Sequence, residues 1–241
     1  MNKIAVICCS AAFFLFAANT HAQKSKAFSG SVKFEIKYEG DFEPQQLAKA
    51  PREKEQLISG NFTKTTQNLG GAFMHRLDMV DSVITLIDAP TEKYAISSGA
   101  LKDKNSEEGK NYVIRKREDT KDICGYTCQG YDIVITVKNE EEEEEEEERQ
   151  ITIVVYTTEA IGIDSNINKH FAAGLKGFPL YQEQPAGEGK KIITQAVEVK
   201  KKKLNPIEFS IPANYKYFTQ EQWMAYVRQI QGGQQEDDED F

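Results

Sequence analysis

The chain has 241 residues, with 30 basic and 38 acidic side chains and a formal net charge of −8. That balance argues against a nucleic-acid binder, since phosphates demand a basic face. It also argues, less strongly, against docking on anionic lipid headgroups.

The first element is a secretory signal. Lys3 gives a short positive start, Ile4 to Ala18 is an almost unbroken apolar run, and Thr20 and Ala22 place small residues at −3 and −1. Cleavage after Ala22 would leave Gln23 first. The run is short for a membrane span of about 20 residues. Cys8 and Cys9 lie inside it, without the small-residue context of a lipoprotein cysteine. No later segment is apolar enough to cross a bilayer. Removing residues 1–22 takes one lysine and no acid, which leaves 29 basic against 38 acidic residues, a net of −9. The remaining 219 residues fit one domain, 23–231, long enough to bury a core without disulfide staples.

Period two dominates the mature chain. Val32, Phe34, Ile36 and Tyr38 alternate with Lys33, Glu35 and Lys37, a strand with one wet and one buried face. Pro44 opens a weakly amphipathic helix over Gln45 to Leu57, interrupted by Pro51. Phe73 to Val80 and Val83 to Asp88 form a hairpin about Asp81-Ser82, and Glu92 to Ser97 extends the meander. Tyr112 to Arg117 is another strand. Tyr131 to Val137 and Ile151 to Tyr156 pair across residues 139–149, an acidic insertion carrying Glu140 to Glu148. Nine glutamates repel one another at neutral pH and belong on a solvated, mobile tip. They lack the bends and mixed oxygen ligands of a calcium loop.

Ala160 to Lys176 is irregular, with a short helix and loops. Leu180 to Gln184 and Lys190 to Lys200 are strands about a Pro185 to Gly189 turn. Lys200 to Lys203 reads as a solvated edge that discourages strand pairing; its functional reading is a contact to headgroups or an acidic partner. Ile207 to Ile211 is a last short strand closed by Pro212. Thr219 and Gln222 have capping-box spacing, and Trp223, Tyr226, Val227 and Ile230 make one apolar helical stripe that packs on the sheet. Residues 232–241 are an acidic, disordered tail. About ten strands and few helices predict a mainly β (α+β) fold: a curved antiparallel sheet or open half-barrel with a C-terminal amphipathic helix.

Three segments together resemble the DUF4412 family of exported bacterial proteins. They are Lys121-Asp-Ile-Cys-Gly-Tyr-Thr-Cys-Gln-Gly-Tyr131, Leu175-Lys-Gly-Phe-Pro-Leu180 and Phe209-Ser-Ile-Pro-Ala-Asn-Tyr215, with Asn214 where the family has glycine. Asparagine still accepts a left-handed backbone. The pattern is similar to that of carriers of the LolA and LppX type. It implies an open half-barrel whose concave apolar face holds acyl chains beneath helices. It brings no catalytic residues with it.

The residues offer little chemistry. His75 and His170 fall in no ligand spacing, so no metal or cofactor is implied. Asp78, Asp81 and Asp88 have no acid/base spacing, and no nucleophile elbow or phosphate loop occurs. Cys124 and Cys128 lack C-x-x-C spacing. In an extended strand their Cα atoms would lie about 13 Å apart, too far to bridge. A disulfide therefore requires a turn, which Gly125 can supply, and both states stay open. The expectation is a non-enzymatic protein of the periplasm or envelope, binding lipid or lipoprotein acyl chains on its concave face, with the Trp223 to Ile230 helix as a lid. The alternative is an envelope interaction module that binds a basic protein partner through sheet edges and the glutamate loop.

Overall fold

A computed structural model describes residues 28–79, 82–98, 112–138, 148–161 and 174–233. The signal segment, Glu140 to Glu147, His170 and the acidic tail lie outside the described residues. Twelve strands form one sheet. They are β1 (Ser29–Glu39), β2 (Glu53–Ser59), β3 (Phe62–Leu69), β4 (Ala72–Asp78), β5 (Val83–Asp88), β6 (Lys93–Ser97), β7 (Tyr112–Ile123), β8 (Tyr126–Lys138), β9 (Glu148–Thr158), β10 (Phe178–Pro185), β11 (Lys191–Lys201) and β12 (Lys216–Thr219). Their spatial order is β12-β6-β5-β4-β3-β2-β1-β11-β10-β9-β8-β7. Two meanders therefore meet at the β1–β11 pair, and among the described residues β7 and β12 are the outermost strands. Every pairing is antiparallel except β12 with β6, which is parallel.

Local chemistry sets the hairpins. Two-residue turns with positive φ match the right-handed twist of paired strands. Gly70-Gly71 (φ 59° and 98°) joins β3 to β4 in this way, and Cys124-Gly125 (φ 52° and 79°) joins β7 to β8. Gly30 is required for a different reason. A Cβ there would stand 2.1 Å from the Lys200 carbonyl oxygen on β11, so a side chain would force the central strands apart.

Three sequence expectations are corrected. The helix over Gln45 to Leu57 stops at Lys49, as α1 (Pro44–Lys49), and Glu53 to Ser59 is strand β2. Pro51 cannot donate within a helix and biases Ala50 to extended backbone, and β1 offers β2 a complete antiparallel ladder. Ile207 to Ile211 is no strand. Pro206–Phe209 is a 3-10 turn whose Asn205 cap accepts from the Ile207 amide, while Glu208 reaches back to the Asn205 amide. Ile207 is 69% exposed while Phe209 is buried. Lys200 and Lys201 lie on no outer edge: β11 is interior to the sheet and pairs with β1 up to Lys201, although it runs past the end of β10.

Among the described residues the core divides into three clusters. The central one joins Val32, Phe34, Ile58, Cys128, Tyr156, Phe178, Leu180 and Ala196, from both meanders. One flanking cluster holds Ile133, Val155 and Leu175. The other holds Leu77, Ile84, Leu86 and Ala95, beneath Ile211 and Tyr215. Ile211 and Tyr215 belong to a strap, residues 202–215, that leaves β11 and crosses one face of β3 to β6. Phe209 meets Phe62 with ring centroids 6.1 Å apart, and the Tyr215 hydroxyl donates to Asp88 at 2.9 Å.

The chain then joins the β6 edge as β12 and turns onto the opposite face as helix α2 (Gln220–Gly233). Thr219 and Gln222 form the expected capping box. The Gln222 amide donates to Thr219 Oγ1 at 3.2 Å, and the Thr219 amide donates to Gln222 Oε1 at 2.9 Å. Thr219→Ala is expected to cost α2 about 1 kcal/mol, read as faster amide exchange confined to α2. Unchanged exchange would mean that the cap contributes nothing to the helix.

Candidate functional site

The pairing registers assign each side chain of the first meander to a face. On the strap face, Leu77 and Ile84 stand opposite each other, as do Leu86 and Ala95, and they are buried. On the other face, Phe34, Lys54, Gln67, Met74, Ile87 and Tyr94 occupy successive paired positions from β1 to β6. Beside them run Val32, Gln56, Thr65, Arg76, Thr85 and Ile96. Met74, Ile87 and Tyr94 are only half-buried there. This face is mixed rather than uniformly apolar. Gln56 donates to Thr65 Oγ1 at 3.0 Å, and Arg76 pairs with Asp78 at 2.9 Å, so those polar groups are satisfied in place.

Lys54 differs. Its ammonium lies 4.7 Å from the Phe34 ring centroid, and burial pushes its pKa down to about 8. Surrounding protein strips water from the amine, yet the side chain keeps accessible surface. That combination marks a group on the floor of a concavity. Arg52, two residues before it and on the same side of the chain, sets its guanidinium 5.1 Å from the Tyr38 ring centroid and donates to the Leu47 carbonyl.

Helix α2 closes the far end of this face. Trp223 stands 5.1 Å from Tyr94 and 5.7 Å from Phe218, and Tyr226 stands 5.9 Å from Tyr94 (ring centroids). The Tyr94 hydroxyl donates to Glu92, which also pairs with Lys216 at 2.5 Å. Val227 is half-buried on the same helix. Ile230 belongs to α2, but its side chain lies outside the described part of the molecule. Two open clefts occur among the described residues, and the second includes Lys54 and Arg52. One, of about 540 Å³, is lined by Glu39, Glu183 and Lys191, with Lys191 pairing to both carboxylates. The other, of about 610 Å³, takes in Phe34, Arg52, Lys54 and Gln67, together with the carboxylates of Glu53 and Glu55.

Cys124 lies in the β7–β8 turn and Cys128 on β8, both as free thiols. Burial pushes Cys128 up to about 11, with Asp122 and Cys124 adding to it. Burial and then Glu198 also raise Cys124. Both shifts run opposite to those that activate a thiol. His75 Nδ1 shares a hydrogen bond with Thr66 Oγ1 at 2.9 Å. Burial, then the charge of Lys64, lowers its pKa, so it stays a neutral strand residue. Asp78 accepts from Thr63, and Asp88 pairs with Lys93. The charged groups singled out in the sequence are thus dispersed over both faces. The Lys54 face escapes a reading of the sequence because β3, with its polar run Thr63 to Asn68, has no apolar alternation. The signals that mark it are Gly60-Asn61 and Gly70-Gly71, both hairpin turn pairs.

No family model matches the chain, and no curated protein matches it. Among solved structures it is similar to the lipoprotein LppX of Mycobacterium tuberculosis, at 10% identity and a TM-score of 0.34, covering 73% of this chain and 89% of that one. It is also similar to a LolA-superfamily protein of Nitrosomonas europaea, at 9% identity and a TM-score of 0.33, covering 76% of this chain and 90% of that one. No helix among the described residues is long and apolar enough to cross a membrane.

Proposed function

We propose that the chain is a non-enzymatic binding protein of the bacterial cell envelope. In this reading it is exported by its N-terminal signal and carries or senses lipid or lipoprotein acyl chains on the face running from Phe34 to Tyr94. One observation supports it above the others: Met74, Ile87 and Tyr94 keep accessible surface on the face the strap leaves free. An acyl chain laid along that row would remove apolar area from water, the dominant favourable contribution to such binding. Helix α2 would act as the lid, since Trp223 and Tyr226 already border the row at Tyr94.

The alternative, a module that binds a protein through sheet edges, has less support. β7, the long outermost strand among the described residues, carries Arg115, Lys116, Arg117 and Lys121, and charges on an edge discourage strand addition.

Native mass spectrometry of protein purified from the envelope is expected to show a co-purifying lipid mass, and the delipidated protein should take up a fluorescent fatty acid. Protein that is consistently ligand-free and takes up no such probe would overturn the reading.

A further inference from the structure

We propose that the ligand of this face carries an acidic head group, a carboxylate or a phosphate, and that Lys54 and Arg52 receive it. The proposal rests on the binding reading above and adds the ligand's polar end to it.

Several lysines of the sheet have carboxylate partners. Lys93 pairs with Asp88, Lys191 with Glu39 and Glu183, Lys200 with Glu198, and Lys216 with Glu92. Lys54 has none among the described residues, although Glu53 and Glu55 flank it in sequence. Strand alternation explains this. Glu53 pairs with Glu35 and Glu55 with Lys33, on the other face, while Lys54 pairs with Phe34. The cross-strand neighbours of Lys54 are an aromatic ring and the amide of Gln67.

Arg52 has the same kind of surroundings. Its contacts are the Tyr38 ring and a neutral backbone carbonyl, so its charge too is uncompensated among the described residues. The Ile36 amide donates to the Arg52 carbonyl at 2.8 Å, which continues the β1–β2 ladder and brings Arg52 to the side of Lys54. The Cα atoms of the two residues lie about 6–7 Å apart along the strand at roughly 3.3 Å per residue. Lys54 lies on the desolvated floor, and Arg52 lies exposed at the rim.

An anion between them would gain charge-assisted hydrogen bonds in a place where water screens little. The acidic chain as a whole repels small anions at long range. A free anion is therefore a poor ligand, and an amphiphile whose apolar chain follows the row toward Met74 and Ile87 is a good one.

The test uses the full mature chain, delipidated, with two matched pairs of probes: hexadecanoic acid against hexadecanol, and phosphatidic acid against the corresponding diacylglycerol. Wild type is expected to favour the acidic member of at least one pair about tenfold, or about 1.4 kcal/mol. The pair that shows the preference identifies carboxylate or phosphate. K54M should bring that pair to near equality while still binding the neutral member, K54R should keep the preference, and R52Q should lose part of it. Equal binding of acidic and neutral members by wild type, or a preference that survives in K54M, would overturn the head-group assignment and leave the acyl-chain reading standing. Failure to bind any of the four probes would overturn both.

Discussion

Phe178→Ala is expected to lower the free energy of unfolding by about 3–5 kcal/mol, the range for deleting a fully buried aromatic side chain. Phe178 is 1% exposed. Its ring centroid lies 6.3 Å from that of Phe34, so it belongs to the cluster where the two meanders meet. It pairs with Thr158 at the end of β9, and backbone hydrogen bonds there limit how far the strands can move to fill a cavity. A domain of this size has only about 5–15 kcal/mol in total, so the variant should approach the limit of a folded population. Urea denaturation of both proteins measures the difference. A loss below about 1 kcal/mol would mean that the central cluster is not what joins the two halves.

The second large effect has the opposite sign. Lys54→Met should make the ligand-free protein more stable at pH 7. Burial lowers the Lys54 pKa from 10.5 to about 8, and at about 1.36 kcal/mol per unit that costs the folded state about 3 kcal/mol when the amine is charged. The Phe34 ring beneath the ammonium offsets about 1 kcal/mol of this, and the accessible part of the side chain offsets some more. A net gain of about 1–2 kcal/mol remains for the variant.

The sign with pH follows from linkage. Below about pH 8 both folded and unfolded wild type hold the proton, and the full cost is present. Between about 8 and 10.5 the folded protein has released the proton and the unfolded chain has not, so wild-type stability climbs toward that of the variant. Above 10.5 the difference is gone. Urea midpoints at pH 7 and pH 9.5 should therefore converge. A variant less stable than wild type at pH 7 would show that the ammonium has a favourable partner in the fold. Retaining a residue that costs stability is the usual trade at a binding site.

Much of the fold was legible in period two, because strands with one apolar face announce themselves. β1, the β4–β5 hairpin, β8 with β9 and β10 with β11 all follow from alternating residues, and Thr219 with Gln222 marked the start of α2 by chemistry alone. The failures share a cause. β2 and β3 carry Lys54, Gln56, Thr65 and Gln67 on one face and Glu53, Glu55, Lys64 and Thr66 on the other, so neither face has an apolar signal. Tertiary pairing with β1 and β4, rather than their own pattern, makes them strands. Ile207 to Ile211 failed the other way: it alternates well, but Pro206 and the Asn205 cap impose a turn. The candidate site was illegible for the same reason as β2 and β3, since it lies where the alternation is polar on both faces.

The seam between β1 and β11 joins residues far apart in the chain: Ser29 Oγ donates to the Lys202 carbonyl across 173 positions. The first-made strand must therefore wait, unpaired on one side, until nearly the whole polypeptide is available. Loop closure over such a separation is slow, and an unpaired strand in the meantime invites intermolecular pairing. Closing the seam is thus a late step in the assembly of this sheet. A truncation that removes β11 would leave two half-sheets with no common seam.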